Sequence, residues 1–413
     1  MINARPQILV SNATRLHSHH LARGLAREGY LQRFVTSLWY KPQQLPYRLA
    51  TALPGAAGKT ATSFLNRRYI DELKPELVEQ RWCIEAQRLV ADATTRGKYR
   101  DRLLFWHKEK HDTAVTRRVK ALRPDIFIGY EMSCRDSMAQ AKRQGAVTIM
   151  DLAGLHYEFS HGLQKEFDHE NLDQVLLQRL ADRKEAELRV SDYIFCLSTL
   201  ARDSLTQNGV APGRIRMINL GADTSVFGFV PKVERNKFRI LFVGAVGRHK
   251  GVHVLLEAFK RANLTDAELV LIGPQIDSGL LQDYKGLYTH HNYMPHSELA
   301  THYQAADVFV LPSFLDSWGM VVNEAMACGT PVIVSSNVGS RDLVNCQNGF
   351  VFPAGDIDAL AHQITECYND RRKLVAMGRV AHESVSKMTW DSYYENVRAT
   401  IREIWSGEQG QAA

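Results

Sequence analysis

The segment DSWGMVVNEAMACGTPVIV, residues 316–334, is largely apolar but carries two carboxylates, Asp316 and Glu324, eight positions apart. Gly329, with a Pro two positions beyond it, is typical of a helix C-terminus, so the segment predicts a helix over 319–328. The run PVIV that follows favours a buried strand. We therefore predict a cleft edge with Asp316 in a loop and Glu324 on the second helical turn.

Strand-like runs alternate with helical patterns along the whole chain. In the first half the runs are 7–11, 33–39, 125–130, 147–151, 193–198 and 215–221; in the second they are 239–244, 268–273, 307–313, 331–336 and 349–352. Near-continuous apolar strands separated by helices indicate parallel sheets covered on both faces. We predict an α/β protein with two Rossmann-like, doubly wound domains facing a central cleft.

One segment interrupts this alternation. Residues 222–237 combine Pro, Gly and charged residues, and a new strand follows at once. We place the first domain at 1–225 and the second at 236–388. Residues 389–407 have apolar residues at helical spacing, and we expect them to form a helix that returns to the first domain.

The composition is that of an ordinary globular protein, with 413 residues of which 45% are hydrophobic and 23% charged. No apolar run reaches the length of a membrane-spanning helix and no signal-peptide layout is present, so we expect a cytoplasmic protein. The six Cys and sixteen His residues show no metal-ligand spacing. We expect reduced cysteines, no structural metal and no cofactor.

Positive charge is concentrated in the first part of the chain. Residues 1–120 hold 22 Lys and Arg against 10 Asp and Glu, whereas residues 121–413 hold 29 against 35. This asymmetry suits an anionic partner, such as nucleic acid, a membrane surface or a phosphorylated substrate, or else a solvated basic face. Residues 98–110, KYRDRLLFWHKEK, could form a helix that lies on anionic lipid, or one that packs on its own domain.

A second loop predicts an anion site. After the strand RILFVG, apolar residues recur at helical spacing from Val252, so a helix begins at or just after Lys250 and Gly251. A strand, a Gly-bearing turn and a helix N-terminus together form a site for an anion, to which Arg248 and Lys250 add positive charge. The alternative is a pair of solvated basic side chains.

The segment around Asp316 complements this anion site. Gly319 lets the backbone approach a ligand closely, and the amides of Gly319, Met320 and Val321 can meet a phosphate. Asp316 and Glu324 can each accept a hydrogen bond from a different hydroxyl group. The arrangement therefore predicts a ligand with sugars at both ends of a diphosphate.

These motifs resemble those of a known family. FLDSWGMVVNEAMACGTPVI resembles the E-x7-E donor-binding motif of the retaining, family 4 (group 1) GT-B glycosyltransferases, and FVGAVGRHKG resembles that family's F-V-G-R-x-x-x-x-K-G. RVSDYIFCLSTLARDSL and NLGADTSVF resemble its signature at the end of the first domain. The resemblance covers 190–400 well and the first 190 residues loosely.

The resemblance implies a hexosyltransferase that moves a sugar from a nucleoside diphosphate to a glycan or polyprenyl-linked acceptor, with retention and without metal. It further implies a place in envelope polysaccharide or lipopolysaccharide synthesis, with the protein cytoplasmic or peripheral on the membrane. Positively charged groups of the protein that contact the leaving diphosphate would carry much of the catalysis. No nucleic-acid partner is expected.

The resemblance also assigns roles to residues. Glu324 would hold the nucleotide ribose, Lys250 would neutralise the diphosphate, and Asp316 would meet the sugar hydroxyls. The implied donor-binding set is Arg248, Lys250, Met294, Asp316, Gly319, Met320, Val321 and Glu324, with Met294 at the base. The implied catalytic set is His156, Asp316 and Lys250. His156 could instead be a packed or solvated loop histidine, and Asp151 is a weaker candidate for its role.

Three departures from the family pattern stand out. Asp316 replaces the usual first Glu, and Ala245 replaces an Arg for which Arg248 could substitute. The N-terminal Gly-Gly is replaced by NATRLHSHH, residues 12–20. There, either one of the three residues Arg15, His17 and His19 compensates, or the histidines lie on the surface of a helix N-terminus.

Other functions fit parts of the pattern. A nucleotide-sugar epimerase or a sugar-phosphate glycosyl synthase would share the architecture, and a protein that binds donor without turnover would share the cleft. A nucleic-acid-binding protein would account for the basic segment, although no recognisable motif supports it. A nicotinamide-dependent oxidoreductase is disfavoured because no G-x-G-x-x-G follows the first strand.

Overall fold

The computed structural model describes residues 5–14, 16–55, 73–81, 98–167, 174–232, 235–277 and 279–412, together with positions 58, 61, 62, 65 and 85. Its strands are β1 Ile8–Asn12, β2 Leu31–Thr36, β3 Val78–Gln80, β4 Ile126–Tyr130, β5 Val147–Asp151, β6 Tyr193–Cys196, β7 Ile215–Met217, β8 Phe238–Val243, β9 Ala267–Ile272, β10 Tyr288–His291, β11 Val308–Leu311, β12 Val332–Ser335 and β13 Gly349–Phe352.

The α-helices in the described ranges are α1 Ser18–Arg27, α2 Leu45–Thr51, α3 Lys98–Leu122, α4 Arg135–Arg143, α5 Tyr157–Phe167, α6 Gln174–Val190, α7 Thr199–Gln207, α8 Val252–Ala262, α9 His296–Ala305, α10 Met320–Ala327, α11 Ile357–Asn369, α12 Arg371–Val385 and α13 Trp390–Ala412. Short 3-10 helices lie at Pro75–Leu77, Pro212–Arg214, Arg248–Lys250, Gln282–Tyr284 and Gly339–Leu343.

The strands form two parallel sheets. The first has the order β3-β2-β1-β4-β5-β6-β7 and the second the order β10-β9-β8-β11-β12-β13. In each sheet the first strand along the chain has a neighbour on both sides, so the winding direction reverses there. Ligands of such sheets bind outside the carboxyl ends of the strands at this reversal point. The predicted pair of doubly wound α/β domains is confirmed.

The core strands follow from their apolar runs. Every residue of β4, β5 and β11 is buried, because helices cover both faces of each sheet. Two strands, β3 and β10, fall outside the predicted runs. Both lie at the edge of a sheet, are only three or four residues long, and carry polar, half-exposed side chains, so they lack the apolar signal.

The crossing between the domains lies between the end of β7 and the start of β8. Near the start of this crossing, the Ala222 N–H donates a hydrogen bond of 2.8 Å to the carbonyl of Met388. Helix α13 then returns across the first domain and packs on α1, where Gly24 leaves room for the ring of Tyr394. His20 of α1 stacks on Trp390, with ring centroids 3.5 Å apart.

Gly221 tests this crossing. A Cβ at Gly221 would lie 2.3 Å from the carbonyl carbon and oxygen of Thr389, both backbone atoms that cannot rotate away. We expect Gly221→Ala to lower the free energy of unfolding by about 1–3 kcal/mol, as other overpacked sites do. Urea denaturation measures this change in the free energy of unfolding. The control is Gly213→Ala, where a Cβ meets nothing within 4 Å; equal effects of the two substitutions would contradict the packing described.

Candidate functional site

The carboxyl ends of the second sheet open onto a cavity of about 1170 Å³ between the domains, which we call the interdomain cleft. One wall comes from the first domain, from Thr51, Leu53, Gly55, Gly58 and Thr62. The other wall includes Gly244, Ala245, Gly273, Pro274, Met294, Met320 and Glu324. Thus Met294 lines the same cavity as Met320 and Glu324 of the E-x7-E segment.

Glu324 lies on α10 and is largely buried at the inner wall of the cleft. Its Oε2 accepts a hydrogen bond of 3.0 Å from the hydroxyl of Tyr303, which is itself fully buried on α9. Burial raises the pKa of Glu324 to about 7, and the Tyr303 hydrogen bond offsets part of this rise. Near neutral pH the carboxylate is thus available to accept hydrogen bonds. A ligand that donates such hydrogen bonds would stabilise the charged form of Glu324.

Lys250 and Asp316 form an ion pair at the loops after β8 and β11. Lys250 Nζ lies 2.7 Å from Asp316 Oδ2, and the side chains are 22% and 18% exposed. Gly251 makes this approach possible: at φ +68° its Cβ would stand 1.9 Å from the carbonyl oxygen of Pro312. The predicted anion-binding lysine and the predicted sugar-binding carboxylate therefore neutralise each other in this state.

The loop 315–319, which we call the bridging loop, is held by both domains. Ser317 Oγ donates to the carbonyl of Ala153, and Ser198 Oγ donates to the carbonyl of Ser317 over 2.8 Å. Trp318 is 2% exposed and packs in the core of the first domain. Within its own domain, the Asp316 N–H donates to the carbonyl of Asn337. The position of Asp316 thus depends on how the two domains meet.

Gly319 begins α10 with φ +85°, a conformation that favours glycine. The half-buried Met320 and Val321 form the first turn after it, as predicted. Arg248 is exposed, and its backbone N–H donates to Asp277 over 2.6 Å. Among the described residues that line the cleft, Ala245 is present and Arg248 is not.

His156 is 3% exposed and packed. Its backbone N–H donates to Ser204 Oγ over 3.0 Å, and its Nδ1 accepts from the Glu158 N–H over 3.3 Å. Burial lowers the pKa of the imidazole. The neighbouring residues Leu155 and Tyr157, rather than His156, line the adjacent cavity. The structure favours the packed alternative for this residue.

The histidines of residues 12–20 were expected either to compensate for the missing Gly-Gly or to lie on the surface. The surface expectation is wrong for His17 and His19, which are 8% and 1% exposed, because they face the sheet from the start of α1. His17 Nε2 lies 2.9 Å from Oδ2 of the buried Asp151. The two residues are 134 positions apart, so no local motif announces the pair. Arg15 lies outside the described residues.

A second cavity, of about 820 Å³, adjoins the bridging loop on the side of the first domain. We call it the α5/α6 cavity, because α5 and α6 supply most of its wall, with Leu315, Asp316 and Ser317 opposite. Among the residues that the structure describes, the charged first-domain side chains lining it are Glu131, Glu158, Asp182, Lys184 and Glu185. Although residues 1–120 are basic, this cavity beside the site is mainly acidic.

Helix α3 begins with the basic and apolar segment 98–110. Phe105 is 6% exposed and packs inward, in agreement with the own-domain alternative. Tyr99, Leu103 and Trp106 are 74%, 39% and 41% exposed, and Lys110 Nζ lies 5.4 Å from the ring centroid of Trp106. The segment therefore combines a packed side with an exposed apolar one.

The second domain matches a known family. Residues 227–384 match the family model described as Glycosyl transferases group 1. The second domain is therefore similar to the group 1 glycosyltransferases. This confirms the resemblance seen in the E-x7-E segment and in the loop that carries Lys250.

Curated relatives match about half of this chain. The D-inositol 3-phosphate glycosyltransferase of Paenarthrobacter aurescens is 30% identical over 255 residues, which are 54% of this chain and 61% of that relative. The sulfoquinovosyl transferase of Arabidopsis thaliana is 25% identical over 222 residues, 49% of this chain and 42% of that relative. The chain thus spans about half the length of the curated relatives it matches.

Solved structures confirm the GT-B fold over nearly the whole chain. Sucrose-phosphate synthase from Thermosynechococcus elongatus superposes with a TM-score of 0.65 at 18% identity, covering 98% of this chain and 100% of that one. HepE of Anabaena, in complex with UDP and glucose, gives 0.62 at 15% identity, covering 96% and 100%. Within the described ranges, no helix is both long and apolar enough to cross a membrane.

Glu324→Gln tests the burial of the carboxylate. Because its pKa is raised from 4.5 to about 7, the contribution of Glu324 to stability is greatest below pH 4.5 and is lost as the pH rises through 7. Gln has no charge to bury. Going from pH 5 to pH 8, we expect the free energy of unfolding of Glu324→Gln to rise by about 2–3 kcal/mol relative to that of the wild type. Urea denaturation at the two pH values measures this change.

The matched control is Glu298→Gln, an exposed residue on α9. It should change stability equally at both pH values. If Glu324→Gln likewise showed no difference between pH 5 and pH 8, the carboxylate would be solvated rather than buried.

Proposed function

We propose that this protein is a retaining glycosyltransferase that moves a hexose from a nucleoside diphosphate to a hydroxyl group of an acceptor. The observation that carries the proposal is that the Lys250–Asp316 ion pair joins the loops after β8 and β11, and that Glu324, on the helix that follows the second of these loops, lines the interdomain cleft. The complex of HepE with UDP and glucose supports a uridine nucleotide as the first donor to test.

Glu324 is suited to the ribose of the donor. Its carboxylate accepts one hydrogen bond from Tyr303 and retains further lone pairs for ribose hydroxyl groups. Met294, on the same wall, would contact the base, as the family resemblance implies. A ligand that donates two hydroxyl hydrogens offsets the cost of a buried carboxylate, which favours a nucleoside over a bare phosphate.

Lys250 is suited to the diphosphate. When the donor binds, the ammonium group of Lys250 leaves Asp316 and contacts the diphosphate oxygens. Asp316 then accepts hydrogen bonds from the sugar hydroxyls. In the reaction, the bond between the anomeric carbon and the diphosphate oxygen breaks, and the acceptor oxygen bonds to the same carbon on the same face. The acceptor proton passes to the leaving diphosphate. Lys250 stabilises the charge that develops there.

Lys250→Met tests this role. We expect kcat for transfer from UDP-glucose to fall about 10²–10³-fold, the usual loss on removing one group that stabilises developing charge. The control is Lys260→Met, an exposed lysine at the far end of α8, which should leave kcat within twofold. A Lys250→Met enzyme with wild-type kcat would contradict the role.

Product analysis in the same assay separates the alternatives. A nucleotide-sugar epimerase would release a free epimerised sugar, and a sugar-phosphate glycosyl synthase would require a phosphorylated soluble acceptor. Binding of UDP-glucose without turnover would support the inactive donor-binding alternative. DNA or RNA binding that falls steeply with salt, without nucleotide-sugar binding, would support a nucleic-acid-binding protein.

The acceptor is proposed to be a glycan or a polyprenyl-linked sugar used in envelope polysaccharide or lipopolysaccharide synthesis, with the protein at the cytoplasmic face of the membrane. The exposed side of α3 supports this location. Tyr99, Leu103 and Trp106 recur at helical spacing, and Lys110 lies beside them. An apolar strip with adjacent basic residues suits an anionic lipid surface.

Vesicle flotation tests this location. Wild-type protein should float with phosphatidylglycerol-containing vesicles and remain in solution with phosphatidylcholine alone. The double substitution Leu103→Ser and Trp106→Ser should reduce the bound fraction at least fivefold, whereas Val175→Ser, at another exposed apolar residue, should not. Equal flotation of all three proteins would contradict the assignment of α3.

A further inference from the structure

The loop after β4 has an uncommon conformation. Met132 adopts φ +76°, which is unfavourable for a side chain of this size. Such residues persist only where their surroundings over-determine them, and they cluster at ligand-binding positions. Glu131, which immediately precedes Met132, lines the α5/α6 cavity.

A buried set of charges fixes this loop. The Met132 N–H donates to Glu187 Oε2 over 2.6 Å, and the Met132 carbonyl accepts from Arg183 Nε over 3.0 Å. The side chains of Arg183 and Glu187 are 1% and 0% exposed, and Arg183 also pairs with the buried Asp112 over 2.5 Å. Both the N–H and the carbonyl of Met132 are therefore held by α6, the helix that forms a wall of the cavity.

Glu131 lies where two cavities meet. Besides the α5/α6 cavity it lines a smaller one of about 200 Å³, and both share Glu131, Gly154 and Lys184. Glu131 Oε2 and Lys184 Nζ are 3.1 Å apart, with side chains 15% and 21% exposed. A carboxylate acceptor next to an ammonium donor matches two adjacent hydroxyl groups of a sugar.

The surroundings of this pair oppose an anion. Lys184 is already neutralised by Glu131, and Glu158, Asp182 and Glu185 line the α5/α6 cavity. A second lysine, Lys108, lines the smaller cavity and not this one. A phosphate placed among these carboxylates would meet like charge in a partly desolvated space, which costs free energy. Hydroxyl groups carry no such cost.

Across the cavity stand Asp316 and Ser317 of the bridging loop. A molecule held by Glu131 and Lys184 therefore faces the loop that we assign to the donor sugar. We propose that Glu131 and Lys184 bind adjacent hydroxyl groups of an uncharged acceptor sugar or polyol unit, and that this cavity disfavours a phosphate on that unit. The inference rests on the proposed function and names the acceptor class for the same site.

Ligand-observed NMR tests the acceptor class, with UDP present throughout. The probes are two matched pairs, glucose with glucose 6-phosphate and myo-inositol with inositol 3-phosphate. We expect at least one unphosphorylated member to bind, and its phosphorylated partner to bind at least tenfold more weakly. Glu131→Gln should weaken binding of the unphosphorylated sugar at least tenfold, and its UDP affinity by calorimetry should stay within twofold of wild type.

Two further variants keep the test decisive. Glu383→Gln, an exposed residue on α12, should behave as wild type. If Glu131→Gln lowers the melting temperature by more than a few degrees, Lys184→Met tests the same pair from its other member, with the same expected loss.

Three results would overturn the inference while UDP still binds. These are tighter binding of the phosphorylated members, unchanged sugar binding in both site variants, and no binding of any probe. Failure of the wild-type protein to bind UDP at all would instead overturn the proposed function, and this inference with it.

Discussion

The contact between the bridging loop and the first domain is the constraint on which the site depends. Trp318 belongs to the second domain by sequence but is buried in the core of the first, and Ser317 is bonded to Ala153 and Ser198 on either side. Asp316 stands beside these anchors and pairs with Lys250. A change in the relative position of the domains would therefore move the bridging loop, so domain arrangement and site geometry are coupled.

The two cavities are lined by different residues and differ in chemistry. The interdomain cleft offers a buried carboxylate, an apolar wall and the N-terminal turn of α10, which suit a nucleotide. The α5/α6 cavity offers a Glu–Lys pair among other acids, which suits hydroxyl groups. Lys250 and Asp316 are paired with each other here. On donor binding, Lys250 would contact the diphosphate and Asp316 would contact the sugar. The proposed reaction thus uses groups that already neutralise one another.

Much of this could be predicted from sequence where the signal is local. The helix predicted over 319–328 is observed as Met320–Ala327, and the apolar core strands were found because helices cover both faces of each sheet. The edge strands β3 and β10 were missed because their half-exposed residues are polar. The pairs Lys250–Asp316 and His17–Asp151 join residues 66 and 134 positions apart, and the α5/α6 cavity needs both domains, so no local pattern reveals them.

The most direct measurement is a crystal structure of the protein with UDP-glucose. The account predicts the ribose hydroxyls within hydrogen-bonding distance of Glu324, the diphosphate on Lys250 in place of Asp316, and the sugar facing the α5/α6 cavity. A nucleotide bound elsewhere, or bound in the cleft with the Lys250–Asp316 pair intact and no phosphate contact to Lys250, would contradict it.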